Sequence, residues 1–181
     1  MVIFTIGHSN HKADKFLKLL QANHITLLVD VRSAPYSRYC PQFNKKDIEN
    51  YLKNFDIQYV YAGDSLGGRP TDPLCYKDHV ILEKDGDYLH EVNYPEVMKK
   101  DWFVKGIERL MQLASEKSIV IMCSEENPGE CHRHHLISKF IMENHPEVEI
   151  RHIRSEGNII STKAIKASLK EIIIEQPKLF S

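Results

Sequence analysis

The sequence has little excess charge and no long apolar run. Its 24 lysine and arginine residues nearly balance 25 aspartate and glutamate residues, which gives a formal net charge of −1. This balance leaves no overall field that would draw the chain to nucleic acid or to an anionic membrane, although a local basic groove is compatible with it. No apolar stretch is long enough to span a bilayer, and no basic region precedes the short apolar run at the N-terminus. We therefore expect no membrane partner and a cytoplasmic location.

Cysteine is also scarce, with four residues among 181. A disulfide framework is therefore not indicated, and in a reducing compartment the thiols are expected to be free or to act as ligands. Hydrophobic residues make up 42% of the chain, which is ordinary for a globular protein and sufficient for a substantial core. The sequence predicts a single domain over residues 1–181.

Apolar runs and amphipathic stretches alternate along the chain. Strand, helix and strand within about thirty residues are typical of a parallel βαβ unit. We therefore predict an α/β fold with three layers, helix, sheet and helix, around a parallel or mostly parallel sheet of about five strands. The predicted strands are residues 2–6, 26–31, 57–61, 119–122 and 148–153, and the predicted helices are residues 12–23, 44–54, 101–116, 131–144 and 162–174.

Residues 62–94 interrupt this alternation with an irregular segment that is rich in glycine and proline. A connection of this length in a compact domain is usually functional, partly helical or mobile. A short helix over residues 77–82 is the one element that the pattern predicts within it. Before this segment, Asn44 is the predicted cap of the helix that runs to Asn54.

Polar residues follow four of the predicted strands. The carboxyl ends of parallel strands share one edge of a sheet, and open α/β sheets bind their ligands at that edge. We therefore expect four clusters to converge there although they are far apart in sequence. They are His8 with Ser9, Asp30 with Arg32, the segment that contains Gly67 and Gly68, and the run from Cys123 to Arg133.

The run from Cys123 to Arg133 carries two thiols, an acid, an imidazole and a guanidinium at a strand–loop–helix junction. An anion could bind the amides at the helix start beside Arg133. A cysteine could be a nucleophile, with its thiolate favoured by His132 or Arg133. Zinc could bind Cys123, Cys131 and a histidine, but the spacing of the thiols does not match a zinc ribbon, so no metal ligand is assigned. Buried, unreactive thiols are the remaining interpretation.

The residues for which we predict roles fall into two groups. Candidate acid–base groups and nucleophiles are His8, Asp30, Cys123, Glu125 and Cys131. Candidate ligand contacts, with the two arginines as an anion clamp, are Ser9, Arg32, Ser37, Gly67, Gly68, His132 and Arg133. Asp30 could equally form a structural ion pair, and His8 could hydrogen-bond across the sheet edge. Five aromatic residues offer stacking surface for a base, although most are expected to pack: Tyr36, Tyr39, Phe43, Tyr59 and Tyr61.

Several motifs in fixed order resemble a known family. They are Thr5-Ile-Gly-His-Ser9, Asp30-Val-Arg32 with Pro35 and Ser37, Leu66-Gly-Gly68, Cys123-Ser-Glu125 and Cys131-His-Arg133. Together they closely resemble domain-of-unknown-function family 488 over nearly the whole chain, which implies a fold and a site without a reaction. A looser similarity to rhodanese-like domains rests on the Asp-Val-Arg strand end and a cysteine after an apolar strand. The loop from Cys123 to Cys131 is too long for the compact rhodanese loop.

The expected function is to bind a small anionic or phosphate-bearing ligand, such as a nucleotide or nucleic-acid component, at the carboxyl edge of the sheet. The chain would then be an enzyme or a degenerate enzyme. The alternatives are a non-catalytic module that binds nucleotide or nucleic acid, a structural metal-binding protein, and a rhodanese-like sulfur transferase. The sequence indicates neither a cofactor nor an oligomeric state.

Overall fold

Six strands form one central sheet in the computed structural model, which describes residues 1–83 and 86–162. The order across the sheet is β3–β2–β4–β1–β5–β6, and every neighbouring pair is parallel except β5 with β6. The predicted α/β class and mostly parallel sheet are confirmed. The strands are β1 (Val2–Gly7), β2 (Leu27–Asp30), β3 (Gln58–Tyr61), β4 (Ile119–Cys123), β5 (Glu149–Ile153) and β6 (Ile159–Ser161).

Two apolar clusters cover the two faces of the sheet. Strand β4 is buried along its whole length because it lies between β1 and β2. Val120 and Met122 face one cluster, and Ile119, Ile121 and Cys123 face the other. Alternate residues of a strand point to opposite faces, so a strand covered on both sides reads as a continuous apolar run.

Helices bury their apolar stripes against these faces. Helices α1 (Ala13–Ala22) and α2 (Lys45–Lys53) contribute to the cluster that contains Val120. The long helix α6 (Asp101–Glu116), which has the predicted bounds, packs in the cluster that contains Ile121. The predicted helix over residues 131–144 begins later, as a π-helix (Arg133–Ser138) that continues into α7 (Lys139–Asn144).

The segment 62–94 is built from short turns of helix. These are α3 (Gly63–Leu66), a 3₁₀ turn (Pro73–Cys75), α4 (Tyr88–Glu91) and the start of α5 (Tyr94–Val97). The predicted helix over residues 77–82 is wrong, because these residues form turns and irregular backbone after the bridge between Tyr76 and Val92.

Two further predictions concern helices. Asn44 lies at the N-cap position of α2, but its Oδ1 accepts a hydrogen bond from the Ser37 amide, so the predicted side-chain cap is wrong. The predicted helix over residues 162–174 lies, apart from Thr162, outside the described residues. In the part of the chain that the structure describes, no helix is long and apolar enough to cross a membrane.

Gly7 ends β1 in close contact with the loop that follows β4. It pairs with Cys123 in the parallel ladder, and a Cβ atom on it would lie 1.8 Å from the Glu125 carbonyl oxygen. A main-chain oxygen cannot rotate away as a side chain can. The loop therefore approaches this strand end only because the residue there has no side chain.

Replacing Gly7 with alanine is expected to lower the free energy of unfolding by about 3 kcal/mol, because the methyl group overlaps main-chain atoms. Gly129→Ala is the matched control in the same loop. A Cβ atom there has its nearest contact at 3.4 Å, with Asn127 Oδ1. That control is expected to change the stability by no more than about 0.5 kcal/mol. Denaturant unfolding measures both, and equally small losses would contradict the close approach at Gly7.

Candidate functional site

The loops that follow β1, β2 and β4 meet at the carboxyl edge of the sheet. The His8 amide donates to the Cys123 carbonyl at 2.9 Å, and the Ser9 amide donates to the Ser124 carbonyl at 2.8 Å. The Val31 amide donates to the Met122 carbonyl at 3.1 Å. These main-chain bonds continue the ladders beyond the strands, so they bring three of the polar clusters into one region.

Cys123, Cys131 and His132 bring three potential ligand atoms together. The two Sγ atoms and one imidazole nitrogen all lie within 4.8 Å of one another. His132 Nδ1 is 3.6 Å from Cys123 Sγ and 3.8 Å from Cys131 Sγ. A 3₁₀ turn (Pro128–Glu130), with Asn127 at its N-cap, returns the loop so that the thiols meet despite their separation in sequence.

The His132 ring is held from the side opposite the thiols. Its Nε2 lies 3.1 Å from the Val31 carbonyl oxygen, which can only accept, so Nε2 carries a hydrogen. In the neutral ring, Nδ1 then presents its lone pair to the two sulfur atoms. Gly68 leaves space for the ring, since a Cβ atom there would lie 2.7 Å from His132 Cγ.

The ionisation of the two thiols is unequal. The hydrogen bond to Cys131 and burial raise the pKa of Cys123 well above its ordinary value. Burial also opposes ionisation of Cys131, but the hydrogen bond from Cys123 and the interaction with His132 outweigh it and lower the pKa of Cys131 well below its ordinary value. Burial lowers the pKa of His132, but the interaction with Cys131 outweighs it and raises that pKa overall. Cys131 is therefore the thiol that ionises first.

Glu125 adds a carboxyl group to this cluster. The Cys123 thiol donates to its Oε2 at 3.0 Å. Although Glu125 is exposed as a residue, protein atoms crowd its carboxyl group. This burial, together with the charge on Cys131, raises the pKa of Glu125.

A cavity of about 140 Å³ opens beside the cluster. Cys123, Glu125, Cys131 and His132 line one side of it. Gly68, which the sequence predicts as a ligand contact, also lines it. The irregular segment 62–94 and the loop after β2 supply further walls, which sequence reasoning missed because no motif marks them: Ser33, Ala34, Arg69, Tyr88, Leu89 and Tyr94. A second cavity of about 300 Å³ shares Ser33 and Arg69 with the first, and Gly67 and Trp102 line it. The two cavities therefore adjoin at Arg69.

Arg133 lies beneath the loop, fully buried. Its Nη1 donates to the Glu125 carbonyl at 2.5 Å, and its Nη2 donates to the Glu126 carbonyl at 2.8 Å. It does not line the cavity. The predicted anion clamp of Arg32 and Arg133 finds no support in this arrangement, because the Arg133 guanidinium is directed at the loop backbone.

Arg32 and Asp30 form a buried ion pair. Arg32 Nη2 donates to Asp30 Oδ2 at 2.6 Å, and Nε donates to Oδ1 at 2.9 Å. The Phe43 carbonyl accepts a further bond from Nη2 at 2.7 Å, and the Tyr59 hydroxyl donates to Asp30 Oδ2 at 2.7 Å. These contacts match the alternative in which Asp30 is structural, although Arg32 also borders the cavity.

His8 extends the same network as a neutral ring. Arg32 Nη1 lies 3.0 Å from His8 Nε2, and His8 Nδ1 lies 2.8 Å from the Ser9 carbonyl oxygen. A guanidinium only donates and a carbonyl only accepts, so the hydrogen is on Nδ1. Burial and the charge of Arg32 lower the pKa of His8 to about 4. The ring stacks on Phe43 and does not line the cavity, so its predicted acid–base role gains no support.

Ser9 and Ser37 organise loops outside the cavity lining. Ser9 has a φ of 46°, and its carbonyl also accepts a bond from the Cys40 thiol. The Ser37 hydroxyl accepts bonds from the two backbone amides of residues 39 and 40. Neither serine therefore lines the cavity, and the predicted ligand contacts of both gain no support.

Comparison with known proteins identifies one family. A family model described as "Domain of unknown function DUF488" matches residues 12–140. No curated protein and no solved structure matches the chain. These comparisons give no support to the looser likeness to rhodanese-like domains.

The neutral, buried His8 predicts a specific loss of stability in acid. Its pKa is 6.5 without the fold and about 4 within it, so between these pH values the unfolded chain binds more protons. Stability should therefore fall as the pH drops through this window, by about 3 kcal/mol from this residue. The measurement is the free energy of unfolding of wild type and His8→Asn across the window. On acidification, the free energy of unfolding of the variant should fall less than that of wild type. Parallel curves of stability against pH would rule out a neutral His8.

Proposed function

The chain belongs to the domain-of-unknown-function family DUF488, whose description names no reaction, and we propose its function from the site itself. The chain binds a zinc ion through Cys123, Cys131 and His132 and uses it to activate water for hydrolysis. One observation carries this proposal: three ligand atoms of the types that zinc prefers converge at the wall of an open cavity.

The distances within the cluster agree with tetrahedral zinc. Zn–S bonds of about 2.3 Å and Zn–N bonds of about 2.0–2.1 Å place a sulfur and a nitrogen ligand about 3.5 Å apart at tetrahedral angles. The two S···N distances are 3.6 and 3.8 Å. The His132 nitrogen is therefore already close to the separation from each sulfur that a shared zinc ion would require, and binding of the ion would replace the thiol protons.

The surroundings of the ligands are also those of a metal site. A histidine that binds a metal usually donates its other N–H to a carbonyl or carboxylate, as His132 does to Val31. The Arg133 amide lies 3.4 Å from Cys131 Sγ and donates to it, which favours a thiolate there. Hydrogen bonds therefore already hold the His132 ring and favour a thiolate at Cys131.

An open coordination position separates a catalytic zinc site from a structural one. Two cysteines and one histidine form a three-ligand set that leaves the fourth position for water, and a bound zinc ion lowers the pKa of that water to about 7. The adjacent cavity supplies the room for water and substrate. This favours catalysis over the purely structural metal site that the sequence left open.

Glu125 lines the cavity and is the proposed general acid–base group. In the proposed reaction, the water oxygen bonds to an electrophilic carbon or phosphorus, and the Glu125 carboxylate takes the water's proton. The bond to the leaving group breaks, and Glu125 then gives its proton to the departing oxygen or nitrogen. Arg69 borders the cavity, with its guanidinium 4.4 Å from the Tyr88 ring centroid, and supplies positive charge for the anionic or phosphate-bearing substrate that the sequence predicts.

The lowered pKa of Cys131 favours a second candidate function, a metal-free thiolate nucleophile paired with His132. The two candidates make opposite predictions about the isolated chain. The nucleophile requires a metal-free protein in which an alkylating reagent modifies Cys131 at neutral pH, whereas a zinc ion would protect that thiol.

We expect about one zinc ion per chain in protein that is purified without added metal or chelator. Cys123→Ser, Cys131→Ser and His132→Ala should each lose most of it, whereas Cys40→Ser, which changes a thiol outside the cluster, should retain it. Mass spectrometry of the metal content measures this. Replacement by cobalt should produce thiolate-to-cobalt charge-transfer absorption. A wild-type chain that neither holds zinc nor binds it in titration would refute the proposal.

Glu125→Gln separates catalysis from metal binding. The variant should keep its zinc but hydrolyse a generic phosphodiester, bis(4-nitrophenyl) phosphate, about 10²- to 10⁴-fold more slowly, because it lacks the proton acceptor. Glu143→Gln, on the exposed side of α7, is the control and should match wild type. Full activity in Glu125→Gln, or hydrolysis by the wild type after removal of zinc, would exclude this mechanism.

A further inference from the structure

The loop after β2, whose residues Ser33 and Ala34 line the cavity, exposes two tyrosines. In this tyrosine loop, residues 33–40, the exposed fraction is 70% for Tyr36 and 94% for Tyr39. The other three aromatic residues that offered stacking surface in the sequence are engaged: Phe43 is buried, the Tyr59 hydroxyl is bonded to Asp30, and the Lys45 ammonium covers the Tyr61 ring. The structure therefore separates two free aromatic rings from the rest.

The tyrosine loop is well anchored, although its two rings are not. The Ser37 amide donates to Asn44 Oδ1 at 2.7 Å, and the Lys45 amide donates to the Pro35 carbonyl at 3.0 Å. The Ser37 hydroxyl accepts bonds from the next amides in the loop, each at 3.2 Å. None of these bonds uses a tyrosine side chain, so the backbone is fixed while both rings stay exposed. Tyrosine has only two side-chain torsions to order on binding, so the cost in conformational entropy is small.

The position of the loop connects these rings to the proposed catalytic cavity. Ser33 lines both cavities and Ala34 lines the first. Tyr36 is two residues after Ala34, so their Cα atoms are at most about 7 Å apart. A ligand that reaches the cavity can therefore extend directly onto the exposed rings.

Positive charge accompanies the rings. Arg38 lies between the two tyrosines in sequence and is exposed. Lys45 holds its ammonium 4.0 Å from the Tyr61 ring centroid, and Arg69 borders both cavities. Aromatic rings interleaved with cations suit a chain of planar bases joined by phosphates, whereas a uniformly cationic surface would suit any polyanion.

We propose that the tyrosine loop binds a single-stranded nucleic acid, whose bases stack on Tyr36 and Tyr39 while an adjoining nucleotide enters the cavity. The proposal rests on the proposed function only for the reaction in the cavity, since the stacking itself requires no metal. A duplex is a poor ligand, because its bases are already stacked on one another and their faces are not accessible.

Fluorescence anisotropy with short labelled oligonucleotides tests the proposal. Each tyrosine changed to alanine should weaken binding of a single strand about ten-fold, and Tyr36→Ala with Tyr39→Ala more than either alone. The matched variants Tyr36→Phe and Tyr39→Phe keep the ring and should bind within about two-fold of wild type. DNA and RNA strands are compared directly to identify the sugar that the site accepts, and a duplex of the same sequence should bind more weakly.

The salt dependence tests the contribution of Arg38. Changing Arg38 to glutamine should reduce the slope of log affinity against log salt by about 0.7, the value for one contact to a single-strand phosphate. Lys139→Gln removes an exposed positive charge on α7 and should leave the slope unchanged. An equal change of slope in both variants would indicate long-range charge only and would overturn the assigned contact.

Other outcomes would overturn the proposal as a whole. They are equal affinity for an abasic strand and a base-bearing strand, unchanged binding in the double alanine variant, or no binding of any single strand at low salt. Thermal melting of the alanine variants should match that of wild type, since the loop's hydrogen bonds are main-chain or use Ser37 and Asn44. Zinc content is measured on the same samples, so a chain that binds strands but lacks zinc contradicts only the proposed function.

Discussion

The buried side chain of Arg133 is the constraint on which the site depends. Its two terminal nitrogens bind the carbonyl oxygens of Glu125 and Glu126, so the loop after β4 is tied to the helix that follows it. Gly7 packs against the same stretch from β1, and Arg154 pairs with the Glu126 carboxylate at 2.7 Å and lowers the pKa of Glu126 to about 2. These contacts hold the loop from three directions, and in this conformation both thiols lie next to the imidazole.

The Asp-Val-Arg strand end serves the site indirectly. The charged groups of Asp30 and Arg32 form an ion pair with each other and contact His8 and Tyr59. The residue between them, Val31, turns its carbonyl toward the imidazole that the thiols face. A motif that resembles catalytic machinery in sequence therefore acts here as a support, because the ion pair fixes the strand end from which that carbonyl orients the ring.

Sequence reasoning predicted the fold more closely than the contacts of individual side chains. Periodicity identified five of the six strands, but not β6, which is only three residues long and follows a turn at Gly157. Convergence at the carboxyl edge followed from parallel strands alone. The direction of each side chain did not follow from it, since neighbouring residues can face opposite layers. Arg133 was therefore predicted to contact a ligand, although it is buried. Linear spacing also gave no metal ligands, because the 3₁₀ turn at Pro128–Glu130 that brings the two thiols together belongs to no paired-cysteine motif.

Zinc K-edge X-ray absorption on the purified chain would show whether two thiolates and one imidazole of this loop bind a single zinc ion with an open position. We expect two sulfur neighbours at about 2.3 Å and one nitrogen at about 2.0–2.1 Å, with a further light atom completing four-fold coordination. Changing Cys131 to serine should remove a sulfur neighbour or abolish binding. A coordination shell of oxygen and nitrogen alone, or no bound zinc, would refute zinc binding by the two thiols.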